Sequence, residues 1–271
     1  MKKINSNWLL LMIGIFLLWN PTVQAQTLKL EISLSKAVYL EGEPIWLDAT
    51  LTNISSDTVR IWGMCLSCQF GFIVELKNEK GKILPYKSVK RNVILGPGFI
   101  IHPKEIYYEC FDLVQAFSQE RSLSRFFLTA IDSGKYSVKA KYGLWEGEVI
   151  ESNEISFEIK SPTGEEAKAY QFLKDAHQNF CAGKDTLMRQ NLEKILTQFP
   201  QSVYAQKACK ELFRRKQLIE KFPDSGFNQT SLGVLTDRMT EEKKQEFLKK
   251  IIKEHPKTRS AKFAQQMLKG W

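Results

Sequence analysis

The sequence predicts a β-plus-α chain: an antiparallel β-sandwich followed by an all-α module of helical hairpins. Three observations predict it. Between Leu28 and Lys160 apolar and polar residues alternate with period two, and the runs break at turn residues. After Ser161 the period lengthens to that of helices. Within this second stretch, residues 192–212 align without gaps to residues 248–268. The expected division is a signal peptide over 1–25, a sandwich domain over 26–160 and a helical domain over 161–271.

The first segment is set apart by its own chemistry. Lys2 and Lys3 precede an apolar run from Trp8 to Trp19, and "VQA" ends it with small residues suited to cleavage after Ala25. This is the three-part form of a secretory signal peptide, and the run is short for a membrane span. The expectation is an exported protein, periplasmic or extracellular, with no stable membrane insertion after cleavage.

Eight runs then read as strands: "LKLEISL" (28–34), "PIWLDATLTN" (44–53), "TVRIW" (58–62), "FGFIVELK" (70–77), "IYYEC" (106–110), "RFFLTA" (125–130), "KYSVKAKY" (135–142) and "NEISFEIK" (153–160). Turn residues such as "NEKGK" (78–82), "GPG" (96–98) and "DSG" (132–134) separate them, with no helix expected between. At 161 the pattern changes. Thr163 followed by Glu166 reads as a capping box. Helical runs follow at about 164–181, 185–199, 202–222, 240–254 and 258–269, with an irregular middle at 226–239. Gly183, Pro200, Pro223 and Pro256 punctuate them.

In the repeat, Leu192/Leu248, Ile195/Ile251, Pro200/Pro256, Ala205/Ala261 and Ala208/Ala264 correspond, and "LIEKFPDS" (218–225) is a shorter copy. A helix ending at a proline turn, followed by one bearing small packing residues, resembles tetratricopeptide repeats. The 56-residue offset between the full copies (248 against 192) departs from that family's period. In the first half, "DSGKYSVKAKY" (132–142) resembles the entry into strand F of immunoglobulin-like domains, with Val138 at the usual cysteine position. "VYLEGEPIWLDATLTNISSDTVRI" (38–61) resembles the opening of Ig-like and macroglobulin-like domains of exported bacterial proteins. The resemblance implies a tyrosine corner at Tyr136 and a core held by packing, without the central disulfide. It speaks to fold, because such sandwiches host many functions.

Formal net charge is +9, and the excess is uneven. Residues 27–160 carry 16 Lys and Arg against 17 Asp and Glu, whereas residues 161–271 carry 21 against 13. Export and the lack of interleaved aromatic residues argue against a nucleic-acid partner. No P-loop, dinucleotide fingerprint or G-x-S-x-G elbow is present, and His102, His177 and His255 make no H-E-x-x-H or similar metal pair. Neither an enzyme nor a cofactor or metal site is expected.

Of five cysteines, Cys65 and Cys68 form a C-x-x-C pair in the β-rich half, where no helix follows to activate a thiol. A structural disulfide is expected there, either within the pair through a turn or from one member to Cys110. Packing of the first helix on the third could join Cys181 to Cys209.

The expected function is non-catalytic binding or scaffolding of a protein partner. Contact is expected mainly in residues 164–271, through Lys207, Lys210, Arg214, Arg215, Lys249, Lys250 and Arg259 facing an acidic segment. Two alternatives stand beside it: a proteinase inhibitor, since the sandwich half bears some resemblance to the intracellular proteinase inhibitor family, and a thiol–disulfide protein using Cys65 and Cys68. The partner's identity and the oligomeric state are not written in the sequence.

Overall fold

The computed structural model describes residues 27–64, 71–85, 98–117, 131–143, 149–237 and 239–270. The expected signal peptide, the Cys65/Cys68 pair and the expected strand at 125–130 lie outside the described residues. Strands occupy the first part: β1 (Leu28–Leu34), β2 (Val38–Leu40), β3 (Trp46–Asn53), β4 (Val59–Ile61), β5 (Phe72–Asn78), β6 (Phe99–Ile101), β7 (Ile106–Asp112), β8 (Gly134–Gly143) and β9 (Val149–Lys160). Helices fill the second: α2 (Gly164–Cys181), α3 (Asp185–Gln198), α4 (Ala205–Glu211), α5 (Arg215–Lys221), α6 (Asn228–Thr236), α7 (Glu241–Glu254) and α8 (Arg259–Leu268). One short helix, α1 (Leu113–Phe117), breaks the expectation of an uninterrupted β half. It starts where β7 ends because the Asp112 carboxylate accepts the N–H groups of Val114 and Gln115.

Two sheets form, in the orders β1-β3-β7 and β2-β9-β8-β5, and β4 pairs with β6 separately. Pairing is antiparallel except between β2 and β9, which run parallel. Period two explains one buried face of each sheet. In β8, Tyr136, Val138, Ala140 and Tyr142 point inward while Lys139 and Lys141 face solvent and pair with Glu151. Leu30 and Leu51 from one sheet and Leu76, Val138 and Phe157 from the other belong to one buried cluster. Each such apolar side chain contributes about 1.5–3 kcal/mol when fully buried. Val138, at 0% exposure, fills its position by packing.

The repeat seen in the sequence produces three turns that open with one geometry. Phe199, Phe222 and His255 end α3, α5 and α7, with φ/ψ of −131/53°, −130/59° and −126/52°. Each precedes a proline, whose ring excludes the α conformation from the residue before it. Two positions after each proline stand Ser202, Ser225 and Thr258, whose hydroxyls accept a backbone N–H from Tyr204, Phe227 and Ala261.

Three helical expectations are corrected. The run at 202–222 is divided into α4 and α5, because Phe213 takes a left-handed φ of 56° and the Arg214 N–H closes on the Cys209 carbonyl. The irregular middle contains α6. The capping box does not form: Thr163 makes no side-chain cap bond, and Glu166 instead accepts from the Ser202 hydroxyl at 2.7 Å and the Val203 N–H at 3.3 Å. A tertiary contact has taken the carboxylate that the local motif would use.

Candidate binding surface at the sheet–helix junction

Strand β3 is buried on both faces from Trp46 to Ala49. Its inward side chains, Leu47, Ala49 and Leu51, join the core between the sheets. Its other face, with that of β7, meets the helices. There Trp46, Tyr108 and Cys110 share a buried cluster with Ile219, Leu232, Leu248, Ile251, Phe263 and Ala264. Trp46 meets Phe227 edge-on at 4.6 Å. The approach is close enough that a Cβ on Gly226 would lie 2.3 Å from the Trp46 ring.

A buried ion pair sits in this contact. The Arg259 guanidinium donates from Nε to Asp48 Oδ1 at 2.8 Å and from Nη2 to Asp48 Oδ2 at 2.6 Å. Its Nη1 donates to the Asp224 carbonyl at 2.6 Å, and the Tyr108 hydroxyl donates to Asp48 Oδ1. Burial opposes the charge on Arg259, but the bonds and field of Asp48 outweigh it and hold the guanidinium ionised. Polar contacts widen the junction. The Tyr204 hydroxyl donates to the Glu41 carbonyl at 2.7 Å, Gln266 Nε2 to the Tyr108 carbonyl at 2.6 Å, and Gln229 Nε2 to Glu109 Oε2 at 3.0 Å.

These contacts redistribute the seven basic residues expected on one exposed surface. Arg259 is 5% exposed and committed to Asp48, and Lys207 is 7% exposed beside Asp112. Burial lowers the pKa of Lys207 and raises that of Asp112. Both are corrections: helical periodicity identifies faces but not which face a sheet will cover. Lys210 pairs with Glu211 and Arg214 with Glu193, while Arg215 lies over the Phe213 ring. Lys249 and Lys250 on α7 are exposed, and Lys250 reaches Glu254 at 3.8 Å. Ala205, Ala208, Ala261 and Ala264 are buried packing positions. Tyr136 donates its hydroxyl to the Asp132 carbonyl at 2.8 Å.

Cys110, Cys181 and Cys209 are free thiols, so the expected link between Cys181 and Cys209 is absent and Cys110 joins the junction cluster instead. Burial raises the Cys110 thiol pKa, and that of Cys209 to about 11. Cys65 and Cys68 lie outside the described residues. His177 and Cys181, one helical turn apart, come together with Sγ at 3.8 Å from Nε2, a pair that their i, i+4 spacing in the sequence could have revealed. Among the described residues no group of three or more His, Cys, Asp or Glu side chains is arranged to hold a metal ion. No helix among them is long and apolar enough to cross a membrane.

Beside the ion pair a cleft of about 580 Å³ opens between the end of β1, the start of β3, the turn after α5 and the start of α8. Leu34, Pro44, Trp46 and Phe222 give it apolar walls, and Lys221, Lys257 and Lys262 give it cationic ones. Sequence reading did not single out these three lysines, because they come from two helical turns far apart in the chain.

No family model matches the chain, and no curated protein matches it. Partial likenesses occur among solved structures. An alkylpurine DNA glycosylase of Pseudomonas fluorescens, AlkC, shares 15% identity over 50% of this chain and 31% of its own, with a TM-score of 0.29. The sporulation control protein Spo0M of Bacillus subtilis shares 11% over 57% of this chain and 55% of its own, at 0.30. A CARDB domain from Pyrococcus furiosus shares 13% over 50% of this chain and 94% of its own, at 0.26. The chain thus spans about a third of the first and about half of the second. At these scores the likenesses carry no weight for fold or activity.

Proposed function

We propose that the chain is a non-catalytic, exported binding or scaffold protein that engages a protein partner, in the cell envelope or outside the cell. The junction carries the reading. Its apolar cluster and the Asp48–Arg259 pair hold the helices against the sheet, so one surface spans both parts before any partner arrives. A preformed surface avoids the ordering cost of association. The basic start and apolar run of residues 1–25 support export.

The finer architecture belongs to the same proposal: an Ig-like sandwich followed by tetratricopeptide-like hairpins. The Tyr136–Asp132 bond supports the first, as does the chain's passage from β1 in one sheet to β2 beside β9 in the other. The three proline turns and the burial of matching alanines support the second. On this reading the change at residues 160 and 161 is one of secondary structure within a single folding unit.

The exposed Lys249 and Lys250 make α7 the favoured contact face for an acidic partner. Rim charges of this kind chiefly speed association and make it salt-sensitive. The test is capture from a native envelope fraction and culture medium with the tagged full chain, at low and high salt, beside K249E/K250E. A specific protein retained at low salt and weakened by both changes is the expected result. Recovery of no specific protein, or a captured protein turned over by the chain, would overturn the proposal.

A further inference from the structure

We propose that the cleft between sheet and helices is a recognition site for an acidic, partly apolar peptide segment. The inference deepens the protein-binding reading above and rests on it.

Charge and shape both point there. Arg259 and Asp48 neutralise each other at one wall, and Glu43 is matched by Lys36 at 2.6 Å. Lys221, Lys257 and Lys262 remain, with no ion-pair partner among the described residues. Lys262 lies over the Tyr108 ring at 4.8 Å, which leaves its ammonium able to accept a counter-charge. The Asp224 carboxylate also lines the cleft, but it accepts the Arg259 backbone N–H at 3.3 Å. Among the described residues, three lysines outside any ion pair therefore line the cleft with one carboxylate that is likewise outside one.

Lys257 adds a backbone observation. Its φ is 70°, a left-handed conformation costly for a side-chain-bearing residue, whereas its counterparts in the other two turns, Gln201 and Asp224, are not in that region. The third turn departs from the shared geometry where it meets the cleft.

The remaining walls select among anions. Trp46 is 6% exposed and closed by Phe227, so its indole offers no face for stacking a base. Leu34, Pro44 and Phe222 instead suit an aliphatic side chain beside a carboxylate. A peptide carrying both supplies the two complementary parts, and a bare phosphate supplies only one.

The experiment uses the full chain and a fluorescein-labelled peptide of alternating glutamate and leucine, with a lysine–leucine peptide as control. Anisotropy gives Kd for the native protein, for K221Q/K257G/K262Q and for K249Q/K250Q. Glycine at 257 accepts the left-handed backbone, and thermal midpoints check that each variant is folded. The expected result is a Kd raised about tenfold or more in the cleft variant and a smaller rise in K249Q/K250Q from the lost rim charge, with no binding of the lysine peptide and no displacement by inorganic phosphate. Loss confined to K249Q/K250Q overturns the cleft and leaves the α7 reading standing. Displacement by phosphate at concentrations matching the peptide's carboxylates overturns the peptide assignment. Failure of the native protein to bind at low salt overturns the inference, while the capture experiment judges the broader proposal separately.

Discussion

Asp48 occupies an outward position of a period-two strand, where a carboxylate ordinarily meets water. Here it is 8% exposed and bound by Arg259 and Tyr108, so its removal strands a buried guanidinium. Asp48→Ala is expected to cost about 3–5 kcal/mol, whereas the paired replacement D48L/R259M costs less because no charge is left uncompensated. Urea denaturation of the single and paired variants measures the difference, and equal losses would refute the coupling. Glu43 behaves differently. Burial raises its pKa despite the Lys36 ion pair and the Leu40 N–H bond, so desolvation wins. The folded protein holds that proton more tightly than the unfolded chain. The group's stabilisation is therefore full below its unfolded pKa and lost as pH rises through its folded one. Glu43→Gln should flatten the fall in stability over that window, as midpoints measured from acid to neutral pH will show. Tyr136→Phe removes one hydrogen bond and is expected to cost about 1 kcal/mol by the same assay.

Among the elements, α8 shows how local and tertiary signals combine. Thr258 caps it by accepting the Ala261 N–H, and Arg259, its first residue, locks it to β3. Thr258→Ala should lower stability by about 1 kcal/mol through loss of the cap, read as a lower urea midpoint. A drop several times larger would mean that the cap also positions Arg259. The proline turns are legible in the sequence because proline acts on its immediate neighbour, whatever surrounds it. The capping box at Thr163 misleads for the opposite reason. Glu166 has an alternative partner in Ser202, 36 residues away, which no local rule contains.

For the whole molecule, the decisive contact is between parts that composition separates cleanly. Gly226 lets the turn before α6 lie against Trp46, and any Cβ there would have to displace the indole. Gly226→Ala is expected to destabilise by about 1–3 kcal/mol through overpacking. It should lower the unfolding transition seen by far-UV circular dichroism and by tryptophan fluorescence together, since sheet and helices share one buried cluster. Two separate transitions, with only the helical one shifted, would show that the parts fold independently.

Sequence alone determined that strands precede helices, where prolines end helices, and the period-two alternation of β1 and β8. These rest on period, φ restriction and turn chemistry, all of which act within a few residues. Only the tertiary structure decided which outward faces stay outward. Lys207 and Arg259 read as solvent-facing, yet packing of the helices on β3 and β7 buries both of them together with Asp48. The lysines of the cleft lie at Lys221, Lys257 and Lys262, and only the fold brings their two turns to the end of β1. Alternation records that one face is polar; whether that polarity meets water or a buried counter-charge depends on what packs against it, and that is a contact across more than two hundred residues.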